Sequence, residues 1–281
     1  MRDPRIERFL ADLVASDGSV PLSDAKIGGL GQRDRVVVIE EGDEIVAIGV
    51  TAVHRHGDGT QHWAVETAVV PGLRFAAFED RLVGEALSLV PRGEAHSVWS
   101  RRRSLDAALE RAGFAAAREL AHYVVGLPLS FPRARIRVRP YQPGDAQALL
   151  EVNRDAFAGH REAESLDADE LARLMGEEWF DPAGLLIAEE GGDMVAFCWT
   201  RVDENGDGEI YRIAVSLMWQ GRGLGRSLVL AGFEYLSQHP DVLRGTLWVD
   251  LANAPGVSLY ESLGMTQDSV NREFLKLTPD T

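Results

Sequence analysis

The sequence contains a single cysteine, Cys198, among its 281 residues, so a disulfide within the chain is excluded. It also lacks any apolar run that approaches the roughly 18 residues of a membrane-spanning helix. The opening residues, MRDPRIERFL, contain no apolar segment of the length found in signal peptides. Together these absences predict a protein of the reducing cytoplasm that has no membrane partner.

Basic residues are scarce relative to acidic ones. The chain has 29 Lys and Arg against 44 Asp and Glu, which gives a formal net charge of −15. Because nucleic-acid binding depends on Lys and Arg that neutralise phosphates, this balance argues against a nucleic-acid partner. The seven histidines are scattered, and no group of His, Cys and Asp has the spacing of metal ligands, so no metal site is predicted.

The sequence does contain an internal repeat. Residues 40–53 read EEGDEIVAIGVTAV and residues 189–202 read EEGGDMVAFCWTRV, with seven of the fourteen positions identical. A second similarity links LERAGF at 109–114 with LYESLGM at 259–265. A length of 281 residues suits two domains of ordinary size, so the repeat indicates two similar domains rather than one large one.

Each half is predicted to form one domain of a common fold. In the second half, strand-like segments such as GEIYRIAV and TLWVDL alternate with helix-like segments such as ADELARLMGEEWF. This alternation predicts an α/β fold, here an α+β arrangement in which a mixed sheet carries helices on both faces. We place the first domain at residues 1–130, a linker at 131–138 and the second domain at 139–281, and we expect a monomer.

A glycine-rich turn follows the predicted strand at residues 208–215 and precedes a predicted helix. It reads WQGRGLGRSL from Trp219 to Leu228, and its backbone N–H groups could hold a phosphate at the start of the helix. The turn does not match G-x-G-x-x-G, and no G-K-[ST] closes it, so neither a dinucleotide-binding turn nor a Walker A loop is indicated. A tight turn without a ligand is the alternative interpretation.

With Gln220 included, the turn reads Q-x-x-G-x-G, and Asn253, Tyr260 and Gly264 follow it. In this order and spacing the segments resemble the GCN5-related N-acetyltransferase (GNAT) superfamily, whose turn reads R/Q-x-x-G-x-G/A. The resemblance implies that acetyl-CoA is the acetyl donor and that the second domain binds it. One departure is the sequence Val-Ser-Leu at 215–217, where members often have V-x-P, which predicts a different path of the chain into the turn.

By the same resemblance, three segments border the coenzyme. The turn would hold the pyrophosphate through its backbone and its arginines, the edge of the preceding strand would pair with the pantetheine arm, and the segment that starts at Asn253 would lie on the other side. The predicted coenzyme-binding residues are Ile213, Ala214, Val215, Gln220, Gly221, Arg222, Gly223, Leu224, Gly225, Arg226, Asn253, Ala254, Pro255, Gly256, Val257 and Ser258.

Two residues are predicted to move the protons that acetyl transfer requires. The attacking nitrogen must lose a proton, and the departing thiolate must gain one. Because side chains alternate along a strand, Glu209, Tyr211, Ile213 and Val215 should share one face. The resemblance implies that Glu209 is the general base and Tyr260 the general acid. The alternatives are a carboxylate that points into solvent and a tyrosine that packs on the sheet.

The first domain keeps the strand pattern but not the reactive groups. At an offset of about 146 residues, it lacks a base, an acid and the glycine turn. It is therefore predicted to support the second domain or to supply one wall of the substrate site. The residues aligned with Gln220, Gly223, Gly225, Glu209 and Tyr260 are Arg74, Ala77, Glu79, Trp63 and Leu109.

Within the superfamily, the second half resembles the mycothiol synthases, which acetylate the cysteinyl amine of a cysteinyl-glucosaminyl-inositol. The resemblance rests on NRDAFAGHRE, EEWFDPAGLLIAEEGGDMVAFCWTR, GEIYRIAV and LWVDLAN. It implies substrate contacts at Asp24, Glu162, Arg201, Glu209 and Trp248. Three positions depart from the family pattern, with Arg161 in place of proline, Arg201 in place of lysine and Trp248 in place of tyrosine.

An α-amino acceptor suits a single modest base. Its pKa is roughly 7.7–8.0, so part of the amine is already neutral at cytoplasmic pH. Two other functions stay open at this point. One is acetyl transfer to another small amine, such as an aminoglycoside or a peptide. The other is a module that binds acyl-CoA without catalysis.

Overall fold

The computed structural model describes residues 4–17, 22, 35–55, 61–91, 95–130, 136–158, 166–203 and 205–276. The chain divides into two compact units, an N-terminal unit of Met1–Glu119 with Val270–Thr281 and a C-terminal unit of Leu120–Ser269. This division does not coincide with the predicted linker at residues 131–138. The reason is that two strands, β5 (Phe114–Gly126) and β11 (Thr266–Lys276), each contribute residues to both units.

The N-terminal unit is a mixed sheet with helices on both faces. Its elements are α1 (Pro4–Asp17), β1 (Val36–Glu41), β2 (Glu44–Arg55), β3 (Gln61–Val69), α2 (Ala76–Leu87), β4 (Ala95–Ser100) and α3 (Arg103–Arg111), with the adjoining parts of β5 and β11. The strand order is β1-β2-β3-β4-β11, in which β3 and β4 are parallel and the other pairs antiparallel. Helices α2 and α3 pack on the face of Val65 and Val98, and α1 packs on the face of Ile48 and Ala68.

The C-terminal unit repeats this plan. Its elements are β6 (Val138–Pro140), α4 (Ala146–Ala156), α5 (Ala168–Met175), β7 (Leu185–Glu190), β8 (Asp193–Val202), β9 (Gly208–Val215), α6 (Leu224–Leu236), β10 (Arg244–Asp250) and α7 (Ala254–Ser262), with the adjoining parts of β5 and β11. The strand order is β5-β10-β9-β8-β7-β6, in which β9 and β10 are parallel and the other pairs antiparallel.

The two faces of the C-terminal sheet are covered by different helices. Apolar residues of α4 and α5 form a core with Phe197, Trp199 and Ala214, and we call this side of the sheet the α4 face. Helix α6 covers the other side, the α6 face, where a Cβ added to Gly232 would lie 2.8 Å from the Cys198 Sγ. Since cores are close-packed, a glycine here lets the helix approach the sheet closely.

The internal repeat is a repeat of structure as well as of sequence. The β1–β2 hairpin turns at Gly42 with φ 64°, and the β7–β8 hairpin turns at Gly191 with φ 63°. Both hairpins also shift register just before the turn, between Ile39 and Glu40 in one and between Ala188 and Glu189 in the other. Left-handed glycines and bulges at matching positions indicate that both units use one hairpin design.

Candidate active site

Strand β9 carries much of the predicted site, and it contains a β-bulge. Strands β8 and β9 are antiparallel, with Trp199 opposite Arg212 and Thr200 opposite Ile210. Tyr211 is therefore an extra residue in β9. A bulge bends the strand locally and redirects the side chains around it.

The bulge changes which side chains share a face. Glu209 lies opposite Arg201, and Tyr211 packs against the same arginine, so both point to the α4 face. Ile213 instead lies opposite a cysteine that faces α6. The predicted common face of Glu209, Tyr211, Ile213 and Val215 is therefore wrong beyond Tyr211, because the extra residue reverses the alternation.

Glu209 forms a largely buried ion pair with Arg201. The Arg201 Nε lies 2.7 Å from the Glu209 Oε2, and the two side chains are 15% and 9% exposed. The guanidinium also lies over the rings of Tyr211 and Trp179, 4.6 Å and 5.3 Å from their centroids. Glu209 is therefore not the solvent-facing charge that was the alternative. Its carboxylate is held in one orientation by a charged hydrogen bond.

Strands β9 and β10 separate next to this ion pair. Within the described residues, their parallel ladder covers three pairs, the last of which joins Ile210 and Leu247. Beyond that pair β9 continues for five residues and β10 for three. Diverging strand edges can accept an extended ligand as an added strand. The predicted pantetheine-binding residues Ile213, Ala214 and Val215 lie on this part of β9.

The N-terminal unit lacks the bulge, and its parallel ladder is longer. Strands β2 and β3 pair without a register shift, and the ladder between β3 and β4 runs through five pairs. The residue in the place of Glu209 is Ala64, which lies opposite Ala52 in the place of Arg201. The predicted counterpart Trp63 is wrong by one residue, because the sequence alignment did not contain the bulge. Two alanines thus replace the ion pair.

Tyr260 lies on α7, the helix that follows β10. The residue is 7% exposed, and burial raises the pKa of its phenol to about 12, with a smaller contribution from Cys198. Among the described residues, none hydrogen-bonds to its hydroxyl group. The phenol is therefore protonated at neutral pH, which is the form that a general acid requires.

The turn between β9 and α6 leaves the start of the helix open to an anion. Gly221 and Gly223 adopt left-handed backbone conformations, with φ of 73° and 82°, and Gly223 is the N-cap of α6. In the described chain no side chain caps this helix, and its first turn contains no acidic residue. The first N–H groups of a helix have no acceptor within the helix, so they can bind a phosphate.

The polar side chains of this turn also make contacts within the protein. The Gln220 Nε2 donates to the Val215 carbonyl at 3.0 Å, and this bond ties the turn to the end of β9. The Arg222 guanidinium lies 4.7 Å from the ring centroid of Trp219. The Arg226 Nη1 donates to the hydroxyl of Ser262 on α7 at 2.7 Å. These contacts hold two positive charges beside the start of α6.

The N-terminal unit has the first contact of this turn but not its glycines. The Arg74 Nε donates to the Val69 carbonyl at 3.1 Å, as the glutamine does in the C-terminal unit. Helix α2 then begins at once, with Phe75 as its N-cap, whereas the N-cap of α6 lies three residues beyond the glutamine. The connection is therefore two residues shorter, and the predicted alignment of Ala77 and Glu79 with glycines of the turn is wrong by two positions.

Glu79 has an internal role rather than a place in a phosphate site. It is fully buried, and its carboxylate accepts hydrogen bonds from Arg102 at 2.8 and 2.9 Å and from Ser104 at 3.0 Å. Its carboxylate is therefore committed to an internal ion pair with Arg102. Leu109, the predicted counterpart of Tyr260, is fully buried in the core.

Asp155, at the end of α4, anchors the beginning of the glycine turn. Its Oδ2 accepts hydrogen bonds from the Ser216 hydroxyl and from the Leu217 N–H, the latter at 2.8 Å. A proline at position 217 would have no N–H to donate, so the departure from V-x-P is matched by this carboxylate. Sequence reasoning did not identify Asp155, and the missing proline was the only signal that could have suggested such a contact.

Asn253 acts as the cap of α7. Its Oδ1 accepts a hydrogen bond from the Gly256 N–H at 3.1 Å. A Cβ added to Gly256 would lie 2.7 Å from the Asn253 Nδ2, so a larger residue at this position would displace the capping amide. The predicted coenzyme-binding segment, Asn253 to Ser258, is thus the N-terminal cap and first turns of a helix.

Replacing Gly256 by Ala should destabilise the protein by about 0.5–1 kcal/mol, because the loss of the displaced cap exceeds the gain from the higher helix propensity of alanine. The matched control is Gly144→Ala, since a Cβ at Gly144 would meet nothing within 4 Å. The control should change stability by less than about 0.5 kcal/mol. Urea unfolding midpoints measure both effects. Equal midpoints for the two variants would contradict the assigned cap.

Trp248 lies on the α4 face with Glu209. Thr246 is opposite Glu209 in the β9–β10 ladder, and Trp248 is two residues further along β10, so all three point to the same side. The indole is 38% exposed and stacks on His122 of β5, with ring centroids 4.7 Å apart and an interplanar angle of 29°. The His122 Nδ1 lies 3.2 Å from the Asp268 Oδ2. Neither of these two residues was identified from the sequence.

The predicted substrate contacts are only partly brought together. Arg201 and Glu209 form the ion pair, and Trp248 lies on the same face of the sheet. Asp24 and Glu162 lie outside the described residues, as does Arg161.

Cys198 is a core residue. It is fully buried, and burial raises the pKa of its thiol to about 12, so it remains protonated. Across the described ranges, no three His, Cys, Asp or Glu side chains are grouped so that they could hold a metal ion. No helix in these ranges combines the length and apolar composition needed to cross a membrane.

Comparison with known proteins places this site in a family context. Residues 146–265 match the model of the acetyltransferase (GNAT) family. The chain is 33% identical to the mycothiol acetyltransferase of Thermobispora bispora, over 93% of this chain and 92% of that one. It is 34% identical to the mycothiol acetyltransferase of Thermomonospora curvata, over 96% and 93% of the two chains.

Solved structures with similar folds support the predicted architecture. A GCN5-related N-acetyltransferase from Sphaerobacter thermophilus matches with a TM-score of 0.71 at 22% identity, over 97% of this chain and 91% of that one. A tandem GNAT protein from the clavulanic acid biosynthesis pathway matches with a TM-score of 0.69 at 15% identity, over 99% and 95% of the two chains. The prediction of two tandem GNAT-type units, each with a mixed sheet, is therefore confirmed.

Proposed function

The chain belongs to the mycothiol acetyltransferase family, and we propose that its C-terminal unit transfers an acetyl group from acetyl-CoA to the cysteinyl amine of a cysteinyl-glucosaminyl-inositol. This reaction would be the last step of mycothiol biosynthesis. The observation that carries the proposal is the extent of the similarity. It covers 93% of the chain in the first of these relatives, and so includes both units rather than the GNAT core alone.

Acetyl-CoA fits the open features of the C-terminal unit. Its pyrophosphate would bind the first N–H groups of α6 around Gly223, beside Arg222 and Arg226. Its pantetheine arm would lie between β9 and β10 along Ile213 to Val215, where the two strands separate. The segment from Asn253 would border its other side.

The chemistry requires one new bond and two proton movements. The amine nitrogen forms a bond to the acetyl carbon, and the bond between that carbon and the coenzyme sulfur breaks. Glu209 accepts the proton that the nitrogen loses, directly or through a water molecule. Tyr260 donates a proton to the departing thiolate, so that coenzyme A leaves as a thiol. Each of these two groups should contribute about 10²–10⁴ in rate.

The acceptor is proposed to bind on the α4 face of the sheet. Arg201, Glu209 and Trp248 lie together on this face, and they offer a charged pair beside an exposed aromatic ring. Asp24 and Glu162 complete the proposed set of contacts. Carboxylates suit a polyhydroxyl acceptor with a free amine, because each accepts several hydrogen bonds.

Replacing Gly223 by Asp should weaken acetyl-CoA binding at least about tenfold, because a carboxylate at the N-cap repels the pyrophosphate. The matched control is Gly264→Asp. Gly264 has φ 79°, close to the 82° of Gly223, and a Cβ would meet nothing within 4 Å at either residue. Both variants therefore carry the same backbone strain. Titration calorimetry measures acetyl-CoA affinity, and equal affinities in the two variants would contradict the proposed phosphate site.

Acetyl transfer by the purified protein tests the function directly. Acetyl-CoA would be offered with the cysteinyl-glucosaminyl-inositol, with an aminoglycoside and with a short peptide in separate assays. We expect the highest kcat/KM for the cysteinyl conjugate. A higher value for the aminoglycoside or the peptide would assign a different acceptor, and acetyl-CoA binding without turnover of any amine would indicate a non-catalytic module.

A further inference from the structure

Arg201 is aimed at Glu209 rather than at open solvent. The two residues are directly opposite each other in the β8–β9 ladder. Their side chains meet through the Arg201 Nε, 2.7 Å from the carboxylate, and the arginine side chain is only 15% exposed. A cation that serves chiefly to bind a soluble substrate would present its charge to that substrate. Here the charge is directed at a protein carboxylate.

An aromatic pocket holds the guanidinium in place. The Arg201 guanidinium lies over the rings of Trp179 and Tyr211, and these two rings contact each other at a centroid distance of 5.2 Å. Trp199 contacts both rings, at centroid distances of 6.0 Å and 5.8 Å. A planar guanidinium stacks on aromatic rings and is more weakly hydrated than an ammonium group. This pocket therefore suits arginine at a position where the resemblance leads to an expectation of lysine.

The β-bulge contributes to the pocket. Tyr211 is the extra residue of β9, and it reaches the α4 face together with Glu209. Bulges near active sites commonly redirect one side chain in this way. The counterpart of Arg201 in the N-terminal unit is Ala52, and β3 has no bulge there. The bulge and the arginine thus occur together in the unit that carries the carboxylate.

From this geometry we propose that Arg201 is a positioning residue, which orients the Glu209 carboxylate and keeps it ionised, and that Trp179 and Tyr211 hold Arg201 for this purpose. The proposal rests on the assignment of Glu209 as the base in the proposed function. It gives Arg201 a role exerted through Glu209, in addition to the substrate contact proposed for it above.

If Arg201 keeps Glu209 ionised, removing Arg201 should change the pH dependence of the reaction. A guanidinium beside a carboxylate favours the ionised form, so its removal should raise the pH at which the carboxylate protonates by about 1–3 units. The other charged or titratable groups around this face are Tyr211 and Arg212 on β9, Asp155 on α4, Arg173 on α5, His122 on β5, and Arg244 and Asp250 on β10. All of them remain in an Arg201 variant, so the shift would belong to Arg201.

The kinetic test compares Arg201→Gln, Arg201→Lys and Arg244→Gln. Arg244 forms an ion pair with Asp207 at 2.6 Å in the same unit and is the matched control. The ratio of variant to wild-type kcat is followed from pH 5 to 9, which cancels the titration of the substrate amine. For Arg201→Gln we expect this ratio to fall as the pH is lowered, because the carboxylate of the variant should protonate about 1–3 pH units higher than that of the wild type.

The lysine variant and the control complete the kinetic test. Arg201→Lys restores the charge, so its Glu209 should protonate within about one pH unit of the wild type. Arg244→Gln should show no shift. A kcat ratio in Arg201→Gln that does not fall at low pH, combined with a rise of about tenfold or more in the amine KM, would overturn the proposal and identify Arg201 as a substrate contact alone.

A second measurement does not depend on activity. The side-chain carboxyl resonances of ¹³C-labelled glutamate would be titrated without substrates, and Glu209→Gln would identify the Glu209 signal. The signal should titrate at higher pH in Arg201→Gln than in the wild type. If it titrates at the same pH, the positioning role fails. If it shifts but Glu209→Gln retains full turnover, the ion pair is real and the assignment of Glu209 as the base fails instead.

Discussion

Replacing Glu209 by Gln should lower kcat for acetyl transfer by about 10²–10⁴-fold and leave the KM for acetyl-CoA nearly unchanged. An α-amino group with a pKa of roughly 7.7–8.0 is mostly protonated at pH 7, so the reaction needs a group that accepts its proton. Glutamine has nearly the same shape as glutamate but cannot act as a base. The expected loss therefore falls on the chemical step and not on coenzyme binding.

The control for this variant is Glu189→Gln. Glu189 lies on β7 and forms an ion pair with Arg139 at 2.6 Å, and it is 38% exposed, so the same substitution should leave kcat unchanged. Raising the pH to 9 provides a second check, because the free amine then loses its proton without help. The difference in kcat between the wild type and Glu209→Gln should therefore be smaller at pH 9 than at pH 7. A difference that stays constant would show that Glu209 does not act by proton removal, even if the variant is slow.

Features of the fold that have a local cause could be predicted from the sequence. The hairpin turn at Gly191 and the turn at Gly221 and Gly223 need left-handed backbone conformations, and glycine is the residue that adopts them at low cost. Segments of alternating apolar residues likewise indicated strands, and the repeated EEG segment indicated two units. Each of these signals lies within a few residues of the structure that it predicts.

The β-bulge has no such local signal. The extra residue of the bulge is a tyrosine rather than a glycine or a proline. Among the described residues, only glycines have a positive φ, so the bulge contains no residue in a left-handed conformation that glycine would mark. The extra residue is accommodated by packing, since Tyr211 contacts the rings of Trp179 and Trp199 on the α4 face. Those rings come from segments distant in the sequence. Strict alternation therefore predicted the wrong face for Ile213 and Val215.

The contacts that support the site could not be predicted from the sequence for the same reason. Asp155 binds the Leu217 N–H, 62 residues away in the sequence, and Asp268 lies beside His122, 146 residues away. Sequence reasoning identified Glu209 and Tyr260 through a family resemblance, which carries information about distant residues that spacing alone does not. It did not show that Arg201 pairs with Glu209, because that contact depends on the register of two strands.

The same limit affected the comparison of the two units. An ungapped alignment matched Trp63 to Glu209 and Ala77 to Gly223. In the structure, the N-terminal unit lacks one residue in its third strand and two residues before α2. It therefore differs from the C-terminal unit by deletions that remove the bulge and the glycine turn. These backbone differences, more than any side chain, explain why the transfer chemistry is proposed for one unit.

Replacing Tyr260 by Phe should lower kcat by about 10²-fold, the lower end of the range for general acid–base catalysis, because a thiolate is a tolerable leaving group. The Tyr260→Phe variant should retain its fold. The ring is buried, and among the described residues none hydrogen-bonds to its hydroxyl, so phenylalanine keeps the packing and stability should change by less than about 1 kcal/mol. Single-turnover measurement of acetyl transfer separates this loss from product release.

The pH dependence follows from the sign of the pKa shift. Burial raises the pKa of Tyr260 from its ordinary value of 10 to about 12, so the folded protein favours the neutral phenol. The acid is present throughout the physiological range, and Tyr260 should cause no decline in kcat between pH 7 and 10. The stability that this shift contributes is fully present below pH 10 and is lost as the pH approaches 12, a loss that should be missing in Tyr260→Phe.

Tyr123→Phe is the matched control for Tyr260. The Tyr123 hydroxyl donates to Glu261, the next residue of α7, at 3.1 Å, so its removal disturbs the same helix without touching the proposed acid. If Tyr260 acts only by packing α7 on the sheet, both variants should slow transfer to the same small extent. If Tyr260 protonates the departing thiolate, only Tyr260→Phe should lose about 10²-fold. An alkaline decline of the wild-type rate centred well below pH 10 would also contradict the acid role, because the neutral phenol is then still present.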